Sequence, residues 1–338
     1  MTALRVGLVG CGRVGVVHLE AIARAAGVQA IAVSDVDAAR AEEVAARFGV
    51  ARVVPGLDAL VASDVHVVAV CVPPRDHFAV ASAALAAGRH VLVEKPLTLD
   101  PAEAADLVAA VPAGVVACTG FNLRAHRQVA AARRLLAGGA LGRLSMIRTQ
   151  WTSAPAPPGW RSAPGQGGDP LWAMGVHHLD LWRHLAGEEP GAVRAAGDGD
   201  ALAVSARTPD GVLLATTLAA GTSDSNEVEL IGERGRLTLT LYRADGPHWA
   251  PVGVAAGGVG ARLRGALRSA GTLPAQARIA RGGGDFRLSF AAEWEAMRDA
   301  VLHGAPPHAT LADGQTAVAL AAAAEAALRD DRPVEVAE

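Results

Sequence analysis

The stretch Leu4-Arg5-Val6-Gly7-Leu8-Val9-Gly10-Cys11-Gly12-Arg13-Val14-Gly15 runs from a short apolar segment straight into three glycines spaced G-x-G-x-x-G. The apolar segment reads as a buried strand, and the pattern from about Val16 to Ala26 reads as a helix. In that strand–turn–helix setting each glycine has its own task. Gly10 permits a tight turn, Gly12 lets the backbone approach a pyrophosphate, and Gly15 lets helix pack closely on strand. The helix N-terminus, with Arg13 and Val14 in its first turn, favours an anion through its unpaired N–H groups and its dipole. A second strand near 29–34 ends at Asp35, 20 positions after Gly15. A carboxylate there accepts hydrogen bonds from adenosine ribose hydroxyls, and it would repel a 2′-phosphate. The pattern therefore predicts NAD over NADP, with Arg40 close enough in sequence to keep NADP open.

Outward from this stretch, strand and helix alternate. A helix is expected over about 38–48, a β-branched run covers Val65 to Val72, and an Ala-rich helix follows Pro73-Pro74 and stops at Gly88. The strand His90-Val91-Leu92-Val93, a helix over about 101–110 and a strand over 115–119 complete the series. A continuous apolar strand such as 65–72 belongs in a parallel sheet buried on both faces. The rhythm predicts an α/β, doubly wound parallel sheet with helices on both sides. From Arg143 the character changes to alternating runs near 144–151, 201–207, 212–219, 227–231 and 236–241. Pro209-Asp210-Gly211 supplies a hairpin turn between two of them. This half reads as α+β, with an open, mainly antiparallel sheet, a helix near 171–185, and closing helices near 290–303 and 312–329. Domains are expected at 1–122 and 123–338. The segment 246–284 carries little pattern and is read partly as a short helix and partly as a flexible flap.

Composition narrows the classes. A net charge of −3 with mixed signs offers no footing for nucleic acid or an anionic membrane. Hydrophobic residues make up 51% of the chain, yet no run of about 20 apolar residues could span a bilayer. The start lacks a signal-peptide layout. Cys11, Cys71 and Cys118, odd in number and in apolar or Gly-rich contexts, read as buried fillers, with neither a disulfide framework nor a metal site. A soluble, cytoplasmic protein is expected.

Of the 31 lysines and arginines, Lys95 alone is a lysine, and it stands in Glu94-Lys95-Pro96. Arginine serves any surface charge or salt bridge, whereas only lysine can be tuned towards neutrality and so carry a proton. A chance survivor in an arginine-rich proteome is the alternative.

With these motifs in view, the chain resembles the glucose–fructose oxidoreductase / inositol dehydrogenase / MocA family. The resemblance rests on the N-terminal glycine loop, Val70-Cys71-Val72-Pro73-Pro74 with His77, His90 to Leu97, Gly120-Phe121-Asn122-Leu123-Arg124, and Gly138 to Arg143. It continues through Gly175-Val176-His177-His178-Leu179-Asp180 and Arg332-Pro333-Val334. It implies a Rossmann domain followed by an α+β domain whose open sheet forms a homodimer or homotetramer contact. It also implies a bound nicotinamide nucleotide and reversible oxidation of a sugar-like or polyol hydroxyl. By resemblance, Lys95 faces the reacting carbon and His177 is a second base or a hydrogen-bond partner of the reacting oxygen. Gly10, Gly12, Arg13, Val14, Asp35, Pro73, His77, Glu94, Lys95, Asn122, Trp160 and Arg161 then fall on the cofactor side, and Arg124 and Asp180 on the substrate side. Asp180, three residues beyond His177 on a helix, shares its face and is placed to orient the imidazole, while His178 turns away as a structural residue. His77 either lines the cofactor site or caps a helix. Arg124 either binds a substrate oxygen or braces the domain junction.

One position departs from the family. Alcohol-oxidising members carry an Asp four residues before the histidine, and here that residue is Ala173. Asp169 is expected to be the N-cap of this helix with Pro170 at its first position, or else a substitute carboxylate. Three readings follow. The first is an NAD(H)-dependent oxidoreductase in which Lys95 handles the proton during carbonyl reduction or alcohol oxidation. The second is an enzyme that retains NAD for transient sugar oxidation during elimination, epimerisation or glycoside cleavage. The third is a degenerate member that only binds.

Overall fold

The computed structural model describes residues 3–155, 165–253, 273–274 and 276–336. The glycine-loop half builds β1 (Leu4–Val9), α1 (Arg13–Ile22), β2 (Val28–Ser34), α2 (Ala38–Phe48), β3 (Arg52–Val53) and α3 (Leu57–Val61). It continues with β4 (Val67–Val70), α4 (His77–Ala86), β5 (His90–Val93), α5 (Pro101–Ala109) and β6 (Ala117–Thr119). The six strands pair in parallel in the order β3-β2-β1-β4-β5-β6. This order reverses between β1 and β4, and a doubly wound sheet binds its ligand in the crevice at the carboxyl ends of such strands. Every residue of β4 is buried, as a strand covered on both faces requires. The helices start where the sequence supplies acceptors. The Asp37 carboxylate accepts the Arg40 N–H ahead of α2, and the Asp100 carboxylate accepts the Ala102 N–H ahead of α5, whose first residue is Pro101.

The second half contributes α6 (Arg127–Ala137), β7 (Leu144–Ser153), a π-helical turn (Leu171–Gly175) running into α7 (Val176–Ala186), and β8 (Arg194–Gly197). Then come β9 (Ala201–Arg207), β10 (Leu213–Ala220), β11 (Ser225–Gly232), β12 (Gly235–Thr240), β13 (His248–Pro251), α8 (Asp285–His303) and α9 (Leu311–Asp330). The seven strands form one sheet in the order β13-β12-β11-β7-β10-β9-β8. All neighbours are antiparallel except β7 and β10, which run parallel. Alternation decides its faces: Ile147, Thr149 and Trp151 of β7 are buried, while Arg148 and Gln150 between them are exposed.

Contacts divide the chain into two compact units, both discontinuous in sequence. The first holds described residues 3–125, 165–168 and 290–322; the second holds 126–155, 169–253, 273–274, 276–289 and 323–336. The first crossing falls three residues after the expected boundary at 122. The return of 290–322 to the first unit has a packing reason. Thr310 bridges to Cys118 and its carbonyl accepts the Thr119 hydroxyl at 3.1 Å, while Trp294, Met297, Leu311 and Leu320 bury their side chains. The short strands β3, β8 and β13 and the helices α3 and α6 were not legible as separate elements. Strands of two to four residues are too short to show a period. Most of the expected flap, residues 254–272, lies outside the described residues.

Candidate active site

The glycine loop has the geometry its spacing predicts. Gly10 sits at φ +97°, and a Cβ on it would lie 2.5 Å from the Cys71 carbonyl oxygen, so neither the backbone angle nor the space admits a side chain. A Cβ on Gly15 would drive into the carbonyl oxygen of Gly10. Gly12 is different, with φ −72° and no atom within 4 Å of an added Cβ. Its absent side chain leaves open space and relieves no internal clash. No side chain caps α1, and its first turn contains no acidic residue, so the amides there face an uncrowded surface. Arg13 is exposed and Val14 half-buried beside it. An N-terminus left open in this way fits a pyrophosphate.

Asp35 closes the other side. Its Oδ2 accepts the Cys11 N–H at 2.6 Å, and its Oδ1 accepts the Asp37 N–H at 2.9 Å. Two backbone donors thus fix the carboxylate against the glycine loop. Arg40 approaches Asp35 at 3.5 Å and Asp37 at 3.1 Å. Val36, next to Asp35, is fully exposed, an apolar side chain with nothing over it. The three cysteines are buried free thiols. Burial, aided by the Asp35 charge, pushes the Cys11 thiol up to about 11, and burial pushes Cys118 up to about 12. They remain protonated, inert fillers.

The remaining first-unit candidates follow the carboxyl ends of β4, β5 and β6. Pro73 leads into a single 3-10 turn ahead of α4. His77, the first residue of α4, is buried with its Nδ1 2.8 Å from the Pro96 carbonyl and its Nε2 3.0 Å from the Val72 carbonyl. Its ring therefore ties the loop after β4 to the loop after β5. Burial lowers its pKa, against the two carbonyls and the Glu94 charge that favour protonation. Glu94 is buried, and its Oε2 accepts the backbone N–H of Lys95 at 3.1 Å. Lys95 is half-buried and joined to Pro96 by a cis peptide. Burial would raise the Glu94 carboxyl, but the hydrogen-bonded His18 and the neighbouring Lys95, through its charge and its backbone N–H, hold it below the usual range. Asn122 is buried in a 3-10 turn after β6. Arg124, in the same turn, pairs with Asp313 at 2.9 Å, donates to the His308 carbonyl at 3.2 Å and lies over the Phe121 ring. All three partners lie within the first unit, so these contacts brace that unit internally.

In the second unit the Asp169 carboxylate accepts the Trp172 N–H at 3.1 Å, with Pro170 at the first helical position. Asp169 thus caps the start of this helix. Residues 171–175 then form a π turn, in which the Val176 N–H reaches back to the Leu171 carbonyl. The regular helix assumed between Ala173 and His177 is therefore wider than expected, and a four-residue step there is less than a full turn. His177, His178 and Asp180 are all buried on α7. Asp180 lies 3.9 Å from the guanidinium of Arg183, a charge one turn further on that the sequence reading left out. Trp160 and Arg161 lie outside the described residues. Sequence reasoning also missed His18, which contacts Glu94, although its place three residues after Gly15 on α1 was a usable signal. No described helix is long and apolar enough to cross a membrane.

Comparison with known proteins matches residues 4–119 to the oxidoreductase family of NAD-binding Rossmann fold and residues 129–238 to the GFO/IDH/MocA C-terminal domain. A dTDP-3,4-didehydro-2,6-dideoxy-α-D-glucose 3-reductase from Streptomyces antibioticus is 36% identical over 63% of this chain and 67% of that protein. A UDP-N-acetylglucosamine 3-dehydrogenase from Acidithiobacillus ferrooxidans is 38% identical over 58% of this chain and 59% of its own length. Among solved structures, GenD2 from gentamicin A biosynthesis, in complex with NAD, superposes with a TM-score of 0.82 at 29% identity, covering 100% of this chain and 97% of that one.

Proposed function

The chain belongs to the GFO/IDH/MocA family of NAD-binding oxidoreductases, and from that premise we propose that it moves hydride between NAD(H) and a hydroxyl or carbonyl of a sugar-like or amino-sugar-like molecule. The observation that carries the cofactor half is the contrast between Gly12, with open space where a Cβ would stand, and Gly10 and Gly15, whose side chains are excluded by the protein itself. Open space over Gly12 beside an uncapped helix start accommodates a pyrophosphate, and the Asp35 carboxylate, already aimed by two backbone N–H groups, accepts from the ribose hydroxyls. The exposed Val36 side chain offers an apolar surface to the base. Arg40 is drawn to Asp35 and Asp37, which supports NAD over NADP.

Bound there, the nicotinamide supplies or accepts the hydride. The chain's part is proton management. Lys95 Nζ gives a proton to the oxygen of a carbonyl being reduced, or takes one from a hydroxyl being oxidised. The family resemblance assigns His177 the assisting place at that oxygen. With Ala173 where alcohol-oxidising relatives carry Asp, reduction of a keto group is the favoured direction, and the name of the dTDP-sugar 3-reductase supports it. Equilibrium dialysis against NAD⁺, NADH and NADP⁺ tests the reading. Binding of NAD(H) with weak NADP⁺ is expected, followed by NADH oxidation when nucleotide-linked keto-sugars are supplied. Preference for NADP⁺ would overturn the role given to Asp35, and failure of nucleotide-free protein to bind any of the three would end the enzyme reading.

A further inference from the structure

Beneath the Glu94-Lys95 pair lies a hydrogen-bonded chain wholly within the first unit. His18, on α1, has no exposed surface. Its Nε2 stands 2.8 Å from Glu94 Oε1, and the indole N–H of Trp294, on α8, donates to its Nδ1 at 3.0 Å. The rings of Phe290 and Trp294 meet it edge-on, with centroids at 5.2 and 5.8 Å. An indole nitrogen can only donate. His18 Nδ1 must therefore present its lone pair, the ring proton must sit on Nε2, and the bond to Glu94 is a donation from a neutral imidazole to a carboxylate. A proton on Nδ1 would set two donors face to face. Trp294 thus fixes the tautomer of His18, a role played elsewhere by carboxylates or carbonyls.

Glu94 in turn is fully used. One oxygen takes the His18 proton and the other takes the Lys95 backbone N–H. Gly120 makes the room: a Cβ there would lie 3.1 Å from Glu94 Oε1 and 3.2 Å from its Cα. The titratable groups close to Glu94 are His18, Lys95, Cys71 and His77. Burial holds the Cys71 thiol protonated and lowers the pKa of His77, while the Lys95 charge favours the Glu94 carboxylate.

We propose that His18 is a positioning residue, locked as the Nε2–H tautomer by Trp294, that keeps Glu94 an anion and thereby fixes the Lys95 backbone and favours the oxidised, cationic form of the cofactor over the reduced one. This rests on the NAD reading above. A buried carboxylate with a permanent donor holds its charge through the working pH range, so the ratio of NAD⁺ to NADH affinity should not vary with pH. Without that donor, burial raises the carboxyl pKa and the charge is lost as pH falls.

The test combines two measurements on the full chain. Dissociation constants for NAD⁺ and NADH are measured across the neutral pH range for the natural protein and for His18→Gln, His18→Leu and Glu94→Gln. In parallel, ¹⁵N spectra of the histidine side chains are recorded on nucleotide-free protein, with the His18 signals identified by their loss in His18→Gln. The expected results are a His18 whose ring proton sits on Nε2 with Nδ1 bare, and a fall of about tenfold in relative NAD⁺ affinity in Glu94→Gln. In His18→Leu the same fall appears only towards lower pH. His18→Gln, whose amide still donates, should restore the natural ratio. Trp294→Phe keeps the ring contact but removes the indole donor, and the ¹⁵N signals of His18 should then no longer report a bare Nδ1 held by a donor. An Nδ1-protonated or cationic His18 in the natural protein overturns the proposal. So does a loss in His18→Leu that is equal for both nucleotides at every pH. Failure of the natural protein to bind either nucleotide overturns the cofactor reading, and this inference with it.

Discussion

Replacing Gly12 by Ala separates a cofactor loop from a merely structural turn. At φ −72° and ψ −169° the backbone already suits alanine, and nothing lies within 4 Å of the added methyl. The folded protein gains no strain, while the unfolded chain loses freedom, so stability should stay level or rise by about 0.4–1 kcal/mol. Nucleotide binding should behave in the opposite way. A methyl over the loop holds the pyrophosphate away from the α1 amides, removing at least one charge-assisted hydrogen bond worth about 1.5–3 kcal/mol. That corresponds to a loss of roughly ten- to hundredfold in NADH affinity. Gly15→Ala is the companion variant. Its methyl would meet the Gly10 carbonyl oxygen, so it should lower stability outright, by several kcal/mol if α1 cannot shift. Thermal unfolding and NADH fluorescence titration on both variants provide the assay. Gly12→Ala protein that is as stable as the natural chain and binds NADH equally well would refute the reasoning, because open space over Gly12 would then have no ligand to serve.

Three further outcomes are expected. Lys95→Met should retain NADH affinity and lower turnover by about 10²–10⁴, measured by steady-state kinetics on the substrate found by screening. Asp313 is held at about 2, well under its ordinary 3.8, because the Arg124 charge and the Thr310 donors overcome burial. A depressed carboxylate stabilises the fold above its unfolded pKa, so about 2 kcal/mol should be lost as pH falls from near 4 through about 2, and Arg124→Met should flatten that part of the denaturation profile. His126 is the reverse kind of acid-sensitive group. Burial lowers it from 6.5 to about 4, and its Nδ1 accepts the Gln128 N–H while Nε2 donates to the Leu241 carbonyl. The unfolded chain binds the proton first, so about 3 kcal/mol should be lost as pH falls from 6.5 towards 4. Urea midpoints across that window check it, and a flat profile would contradict it.

Much of the first unit was legible because its signals are local. The glycine spacing, the acidic residue after β2 and the buried run of β4 each follow from covalent geometry and period, and the observed strand order agrees with them. The site residues divide differently. Gly12 and Asp35 could be given roles from the sequence, since those roles concern their own backbone and the strand beside it. Arg124 could not, because its partner Asp313 lies far along the chain and is brought to it only by the return of 290–322 to the first sheet. The segment before His177 also escaped. A π turn has no compositional mark of its own, and a regular helix was the natural assumption for Leu171 to Leu185.

By itself, then, the sequence determined a doubly wound nucleotide fold, a lone lysine in Glu94-Lys95-Pro96 and membership of an oxidoreductase family. Tertiary structure decided how the groups around that lysine are held. His18 and Trp294 are 276 positions apart, and only the return of residues 290–322 to the first unit lets an indole N–H select the tautomer of an imidazole that steadies Glu94. A hydrogen bond's donor and acceptor roles are set by which atoms face each other in the folded state, and no local pattern in the chain encodes that.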